Sequence, residues 1–240
     1  MNARAWIALL LLPAGPALAD GARLEYGYWN YSISGDVVTR GERIDLERDI
    51  GIEVHSKSSF AARWDTQSAW IPDFTADYLN IDAGGRRETT TTQFPFPPTT
   101  TVTLADASLG DVELTLRYPW RFGAASAWGG LTVKHLAGDL TTRGQSATQE
   151  SRESVSETFP MIHGAVEYPL GDRFTLGASI DWISSGGSSA LQWRAGADFR
   201  VWGPLGLTAA WQRRHYKVNT QNDALDATLD GGLLGICARW

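Results

Sequence analysis

The sequence predicts an all-β protein: a transmembrane antiparallel up-and-down β-barrel of about ten strands, with eight as the alternative. Three observations carry this. Apolar and polar residues alternate with a period of two through segment after segment, most clearly from Arg173 to Val201, and that period belongs to strands with two unlike faces. Short turn segments alternate with longer polar ones, as in a barrel whose turns line one rim and whose loops line the other. Aromatic residues gather at the short-turn end, where a membrane barrel carries a girdle.

The chain has 240 residues and opens with Asn2-Ala3-Arg4, an apolar run from Ala5 to Leu12, then Pro13 and Ala17-Leu18-Ala19 before Asp20. A basic start, a short apolar stretch and an A-x-A site predict a cleaved signal peptide over 1–19, leaving one barrel domain over 20–240. The run is too short to span a bilayer as a helix. No longer apolar run follows, so a helical membrane protein is excluded. The formal net charge of -6 argues against nucleic acid as a partner. Cys237 is the one cysteine and has no internal partner for a disulfide. A hydrophobic fraction of 43% is no objection to membrane insertion, because half of each spanning strand can be polar.

Leu24 to Ser34 is the first strand. Its faces are ambiguous, since Leu24-Tyr26-Tyr28 and Trp29-Tyr31-Ile33 are both apolar or aromatic. Val37 to His55 is charged and reads as a long loop or a strand extension. Ser58 to Thr66 is the second strand, with Phe60, Ala62 and Trp64 against Ala61, Arg63 and Asp65. Gln67 to Pro72 is a turn region, because Pro72 cannot donate to a ladder. Phe74 to Ile81 is the third, ended by Ala83-Gly84-Gly85. A Thr- and Pro-rich loop spans about 88–101, and proline at that density opposes a ladder. Ser108 to Tyr118 is the fourth strand and Pro119 to Gly123 a tight turn.

Ala124 to Leu136 is the fifth strand, followed by a polar loop from Gly138 to Glu157. Phe159 to Tyr168 is the sixth, and Pro169 to Asp172 a turn. The seventh and eighth flank a turn of six small residues, Ser184 to Ser189. Their apolar faces carry Trp182, Trp193 and Phe199, which a membrane barrel turns to lipid. Trp202-Gly203-Pro204 is a turn, Leu205 to Tyr216 the ninth strand, and Leu229 to Trp240 the last.

Connections after the even strands are short and those after the odd strands mostly longer. Ten strands with both termini periplasmic produce that alternation. Trp70, Tyr118, Trp120, Phe122, Tyr168, Trp202 and Trp240 all fall at the short-turn end and form the predicted girdle.

The chain closes Leu234-Gly235-Ile236-Cys237-Ala238-Arg239-Trp240. A strand ending on an aromatic resembles the assembly signal of bacterial outer-membrane proteins, with Trp240 where Phe is usual. Gly27-Tyr28-Trp29-Asn30 with Ser34-Gly35, Ile71-Pro72, Phe159-Pro160-Met161 and Gly186-Gly187-Ser188-Ser189 are similar to stretches of a proteobacterial family of small, uncharacterised outer-membrane β-barrel proteins. The resemblance implies the barrel, a Gram-negative outer-membrane location, outer-membrane lipid and lipopolysaccharide as surroundings, and insertion of a monomer by the barrel-assembly machinery. It implies no activity.

Alternation turns Asp181, Arg194, Asp198, Arg200, Arg214, Glu113 and Arg117 inward, together with Asp65, Asp77, Lys134 and Glu167. Mixed signs pair with one another and plug a narrow barrel, whereas a selective pore more often shows a ring of one sign. The reading is therefore a structural or surface-binding barrel with an ion-paired lumen. A narrow channel for small polar solutes is the first alternative and an outer-membrane enzyme the second. An omptin-like protease would draw on Asp77, Asp82, His135 and His215, although no D-x-H occurs. A lipid A deacylase-like site would draw on His163 with Glu167, or His135 with nearby hydroxyls. The four histidines lack metal-ligand spacing, and no cofactor motif is present.

Overall fold

The computed structural model describes residues 21–39, 42–45, 55–66, 68, 70–91, 99–143, 150–185, 188–219 and 224–240. The predicted signal peptide over 1–19 lies outside them. The described strands are β1 (Ala22–Thr39), β2 (Glu42–Asp45), β3 (His55–Trp64), β4 (Asp73–Thr91), β5 (Thr99–Phe122), β6 (Ala125–Arg143), β7 (Glu150–Leu170), β8 (Phe174–Ser185), β9 (Ser188–Trp202), β10 (Leu205–Asn219) and β11 (Ala224–Arg239). Each pairs antiparallel with its neighbour, and β1 pairs with β11 from Arg23↔Arg239 to Val38↔Ala224, which closes the cylinder. β2 is a short flap on the end of β1. The other ten strands are the staves, so the count is ten rather than eight.

Several strands run beyond their predicted ends, most of them at the loop rim. β4 continues through Gly84-Gly85, and Thr89, Thr90 and Thr91 pair with Thr101, Thr100 and Thr99. β6 and β7 continue as a ribbon to Arg143↔Glu150, through the segment expected to be a polar loop. β1 extends to Thr39 and β2 adds part of the charged segment after it. The reason is shared: β-branched Thr and Val favour a ladder on a half-solvated surface, and polarity alone does not break one. Pro95, Pro97 and Pro98 lie outside the described residues. The Ser184 to Ser189 turn is shorter than expected, because Ser184↔Ser189 and Ser185↔Ser188 still pair. At the opposite rim, Pro119 to Phe122 belong to β5, Pro169 belongs to β7, and the turns shrink. Gly123, Gly171 and Gly203 open them with φ of 60°, 71° and 54°; this left-handed geometry matches the twist of a tight hairpin.

The faces sort as alternation requires. Leu114, Leu116, Leu131, Val133, Ile162, Val166, Leu176, Ile180, Leu234 and Ile236 are exposed on the outside. So large a contiguous apolar surface needs a partner, and on a closed barrel that partner is lipid. The first strand's ambiguity resolves: Tyr26 and Tyr28 face out, and Trp29, Tyr31 and Ile33 are buried inside.

One close approach depends on glycine. A Cβ at Gly130 of β6 would stand 2.0 Å from the Leu116 carbonyl oxygen and 2.7 Å from Arg117 Cα of β5. Gly130→Val is expected to cost about 1–3 kcal/mol by overpacking, read as a lower denaturant midpoint of the barrel folded in detergent.

Candidate functional site

The chemistry of this chain lies inside the barrel, and it is layered along the axis. At the turn end a ring of ion pairs lines the mouth. Arg23 of β1 pairs with Asp198 of β9 and with Glu25 at 2.7 Å, and Glu25 also takes Arg194. Asp198 accepts a third contact from Arg239 at 2.9 Å. On β3 and the strands beyond it, Arg63, the cross-strand neighbour of Arg23, pairs with Asp65 at 2.7 Å and with Glu167, and Arg117 reaches Asp65 at 3.1 Å. The guanidiniums of Arg63 and Arg117 lie 4.7 and 4.8 Å from the centre of the Trp128 ring. The Trp128 indole N–H donates to Asp73 at 3.1 Å.

Deeper, between this ring and mid-lumen, lies a cavity of about 200 Å³. Small residues such as Ala61, Gly177 and Gly196 leave it room. His163 of β7 lines it. Its Nδ1 is 2.8 Å from Asp181 Oδ1 on β8, and Asp181 also accepts from the Thr132 hydroxyl and, at 3.1 Å, from Gln192 Nε2. Thr132 has one proton and gives it to Asp181. The Thr115 hydroxyl 2.8 Å away must therefore donate to Thr132.

Above the cavity sits a tier of buried charge. Lys134 of β6 is fully buried and bonds Asp111 at 2.7 Å, Glu113 at 2.6 Å and Gln192 Oε1 at 2.9 Å. Arg214 of β10 bonds the same two carboxylates, Glu113 at 3.0 Å. Gln192 spends its second amide proton on Glu113 at 2.7 Å. Toward the loop rim the lumen becomes apolar. Trp29, Tyr31, Leu79, Leu136, Met161 and Leu233 pack into one buried cluster with Ile81, Ala190, Tyr216 and Leu229. The two tiers interlock: the Lys134 ammonium lies 5.2 Å from the Tyr216 ring centre and the Arg214 guanidinium 5.5 Å from that of Trp29.

Of the residues read as inward, Glu113, Arg117, Lys134 and Asp181 are buried in these tiers, and Arg194, Asp198 and Arg214 join them half-buried. Asp65 and Glu167 take part in the mouth ring, and Asp77 lines the cavity. Arg200 shares the inward parity, but the β9–β10 register slips beside it, at Leu205/Gly206. It ends exposed at the turn rim and joins none of the pairs described. Arg23, Glu25, Arg63 and Asp111 complete the set without having been singled out from sequence. Trp70, Tyr118, Trp120, Phe122, Tyr168, Trp202 and Trp240 are all exposed at the turn end. Trp193 and Phe199 are half-buried on the outer face, Phe199 against Phe174 with ring centres 4.7 Å apart.

The residues considered for an enzyme do not converge. Asp77 faces the lumen. His135 and His215 lie on the outer face, hydrogen-bonded to Thr158 at 3.0 Å and Thr228 at 2.9 Å. His163 and Glu167 face the lumen instead of the lipid-facing rim, and each has a different partner.

No protein-family model matches the sequence, and no curated protein matches it. Solved structures are similar in fold. The outer-membrane protease OmpT of Escherichia coli superposes with a TM-score of 0.61 over 92% of this chain and 97% of its own, at 8% identity. The translocator domain of the autotransporter NalP of Neisseria meningitidis matches at 0.45 over 99% and 97%, with 13% identity. Ail of Yersinia pestis matches at 0.38 over 90% and 99%, with 12% identity. The chain thus has the fold of an outer-membrane β-barrel. That fold and the lipid-facing band together place it in the outer membrane of a Gram-negative bacterium.

Proposed function

We propose that this barrel is closed and serves as a structural or surface-binding protein of the outer membrane, not as a pore. The stacked lumen carries the reading: the tier of Lys134, Arg214, Asp111, Glu113 and Gln192, capped by the apolar cluster around Trp29 and Leu233. A hydrated ion would have to strip Lys134 of its partners and then cross a layer of packed, mostly apolar side chains. Constrictions of that kind gate by dewetting. A ten-stranded barrel is also narrow enough for side chains to fill.

The short motifs around Gly27-Tyr28-Trp29-Asn30 and Phe159-Pro160-Met161 support kinship with small proteobacterial outer-membrane barrels. The exposed apolar belt supports lipid and lipopolysaccharide as neighbours of a monomer. The strand closing on Trp240 supports insertion by the barrel-assembly machinery. The test of closure is conductance in planar bilayers. The folded protein is expected to give no steady openings at voltages where a general porin conducts. Regular unitary steps from the purified barrel would replace this reading with the narrow channel.

A further inference from the structure

Five buried side-chain polar atoms have no hydrogen-bond partner among the described residues: Trp29 Nε1, Asp111 Oδ1, Tyr216 OH, Arg117 Nε and His163 Nε2. The first three belong to the buried tiers above the cavity. The last two are different. Both side chains line the cavity below, and both residues are more than nine-tenths buried. They also share one row of the wall. Arg117 of β5 pairs with Gly130 of β6, and Gly130 pairs with His163 of β7. Two strand spacings separate their backbones, about 9–10 Å, and glycine puts no side chain between them. A buried N–H without a partner costs free energy that native folds rarely leave uncollected.

We propose that this niche is a binding site for a small oxyanion group, a phosphate or a carboxylate, entering from the periplasmic end. One ligand oxygen accepts from Arg117 Nε–H and another meets His163 Nε2. The Asp181 carboxylate accepts a hydrogen bond from His163 Nδ1–H. Nε2 therefore accepts from a protonated oxygen or, once protonated itself, donates to a bare one. Three carboxylates near Arg117 do not fill the role, because they are engaged elsewhere. Asp65 holds Arg63 and the far end of Arg117, Glu167 holds Arg63, and Asp73 holds Trp128 and the Thr66 backbone N–H. Arg117 is also fixed by Asp65 and by stacking near Trp128, so its side chain is held in place before any ligand arrives. A cavity of about 200 Å³ is below the ~300 Å³ at which drug-sized sites begin. The ligand is therefore a small one, and the site does not depend on whether the plug above it conducts.

The test is a titration of the intact barrel, folded in detergent micelles with ¹⁵N-labelled histidine, with inorganic phosphate in one arm and acetate in the other. The His163 ring is assigned by its loss in His163→Asn. Its ¹⁵N resonances are expected to shift saturably at millimolar ligand in at least one arm, and that arm names the group. Arg117→Lys keeps the charge but moves the donor, and is expected to weaken binding about tenfold or more, roughly 1.4 kcal/mol. A His163 ring unmoved by both anions overturns the site. So does a shift that Arg117→Lys leaves unaltered, or one that His135 and His215 on the outer face reproduce. If Arg117→Lys does not fold, the contrast between His163 and the outer-face histidines in the native barrel decides.

Discussion

Lys134→Met is expected to remove about 3–5 kcal/mol of folding stability, the usual result of deleting one member of a buried charge set. Lys134 and Asp111 have no solvent-exposed side-chain surface, and Glu113 has almost none. Without the ammonium, two carboxylates share the single Arg214 guanidinium, and Gln192 Oε1 loses its donor. Methionine matches the volume of lysine, so the loss is electrostatic and not a cavity effect. Urea titration of the barrel in detergent or vesicles, followed by tryptophan fluorescence, measures it. Adding Glu113→Gln is expected to return part of the loss, because the tier then holds one carboxylate for one cation. A double-mutant cycle gives the coupling directly. Equal stability for Lys134→Met and the native chain would mean that water reaches the tier, and with it the argument for a sealed lumen would fall.

Leu131→Arg carries the second large effect. Leu131 lies on the outer face of β6 between Gly129 and Val133, with His135 beginning the polar boundary above. Arginine at the bilayer midplane of a barrel costs about 2–4 kcal/mol, falling to ~0–1 near the interfaces. Leu131→Arg is therefore expected to lower stability by that midplane amount in lipid vesicles. The same arginine in place of Thr158, at the loop-side boundary, is expected to change stability little. If both positions respond alike, the outward face of β6 does not sit in hydrocarbon where the alternation puts it.

The barrel was legible in the sequence because its signal is local. Phe174 to Trp182 and Leu191 to Val201 alternate, and tight turns follow Phe122, Leu170 and Trp202. Parity also turned Asp181, Arg194 and Arg214 inward. Partnership was not legible, because it depends on register and tilt across strands far apart in sequence. Glu25 meets Arg194 on β9, and Arg63 meets Glu167 on β7. The apolar cluster was hidden for another reason. A membrane barrel's lumen is expected to be polar, so Trp29, Tyr31 and Ile33 competed with Tyr26 and Tyr28 for the lipid face. Only the pairing of β1 with β11 and β3 decides between them. The strand extensions were missed because Thr- and Ser-rich segments read as loops, although they pair as well as apolar ones once a neighbour continues.

The seam between β1 and β11 sets the order in which this molecule can be made. Gly21 N–H donates to the Trp240 carbonyl oxygen at 2.8 Å, and Trp240 N–H to the Ala22 carbonyl oxygen at 2.9 Å. The two edges it joins emerge from the ribosome at opposite times. Nine ladders can form between neighbours in sequence, but the tenth has to wait until both β1 and β11 are present. Its contact order is the highest the described chain allows, which makes closure intrinsically slow. Until then both flanking strands present open hydrogen-bonding edges, the form most prone to pair with the wrong chain.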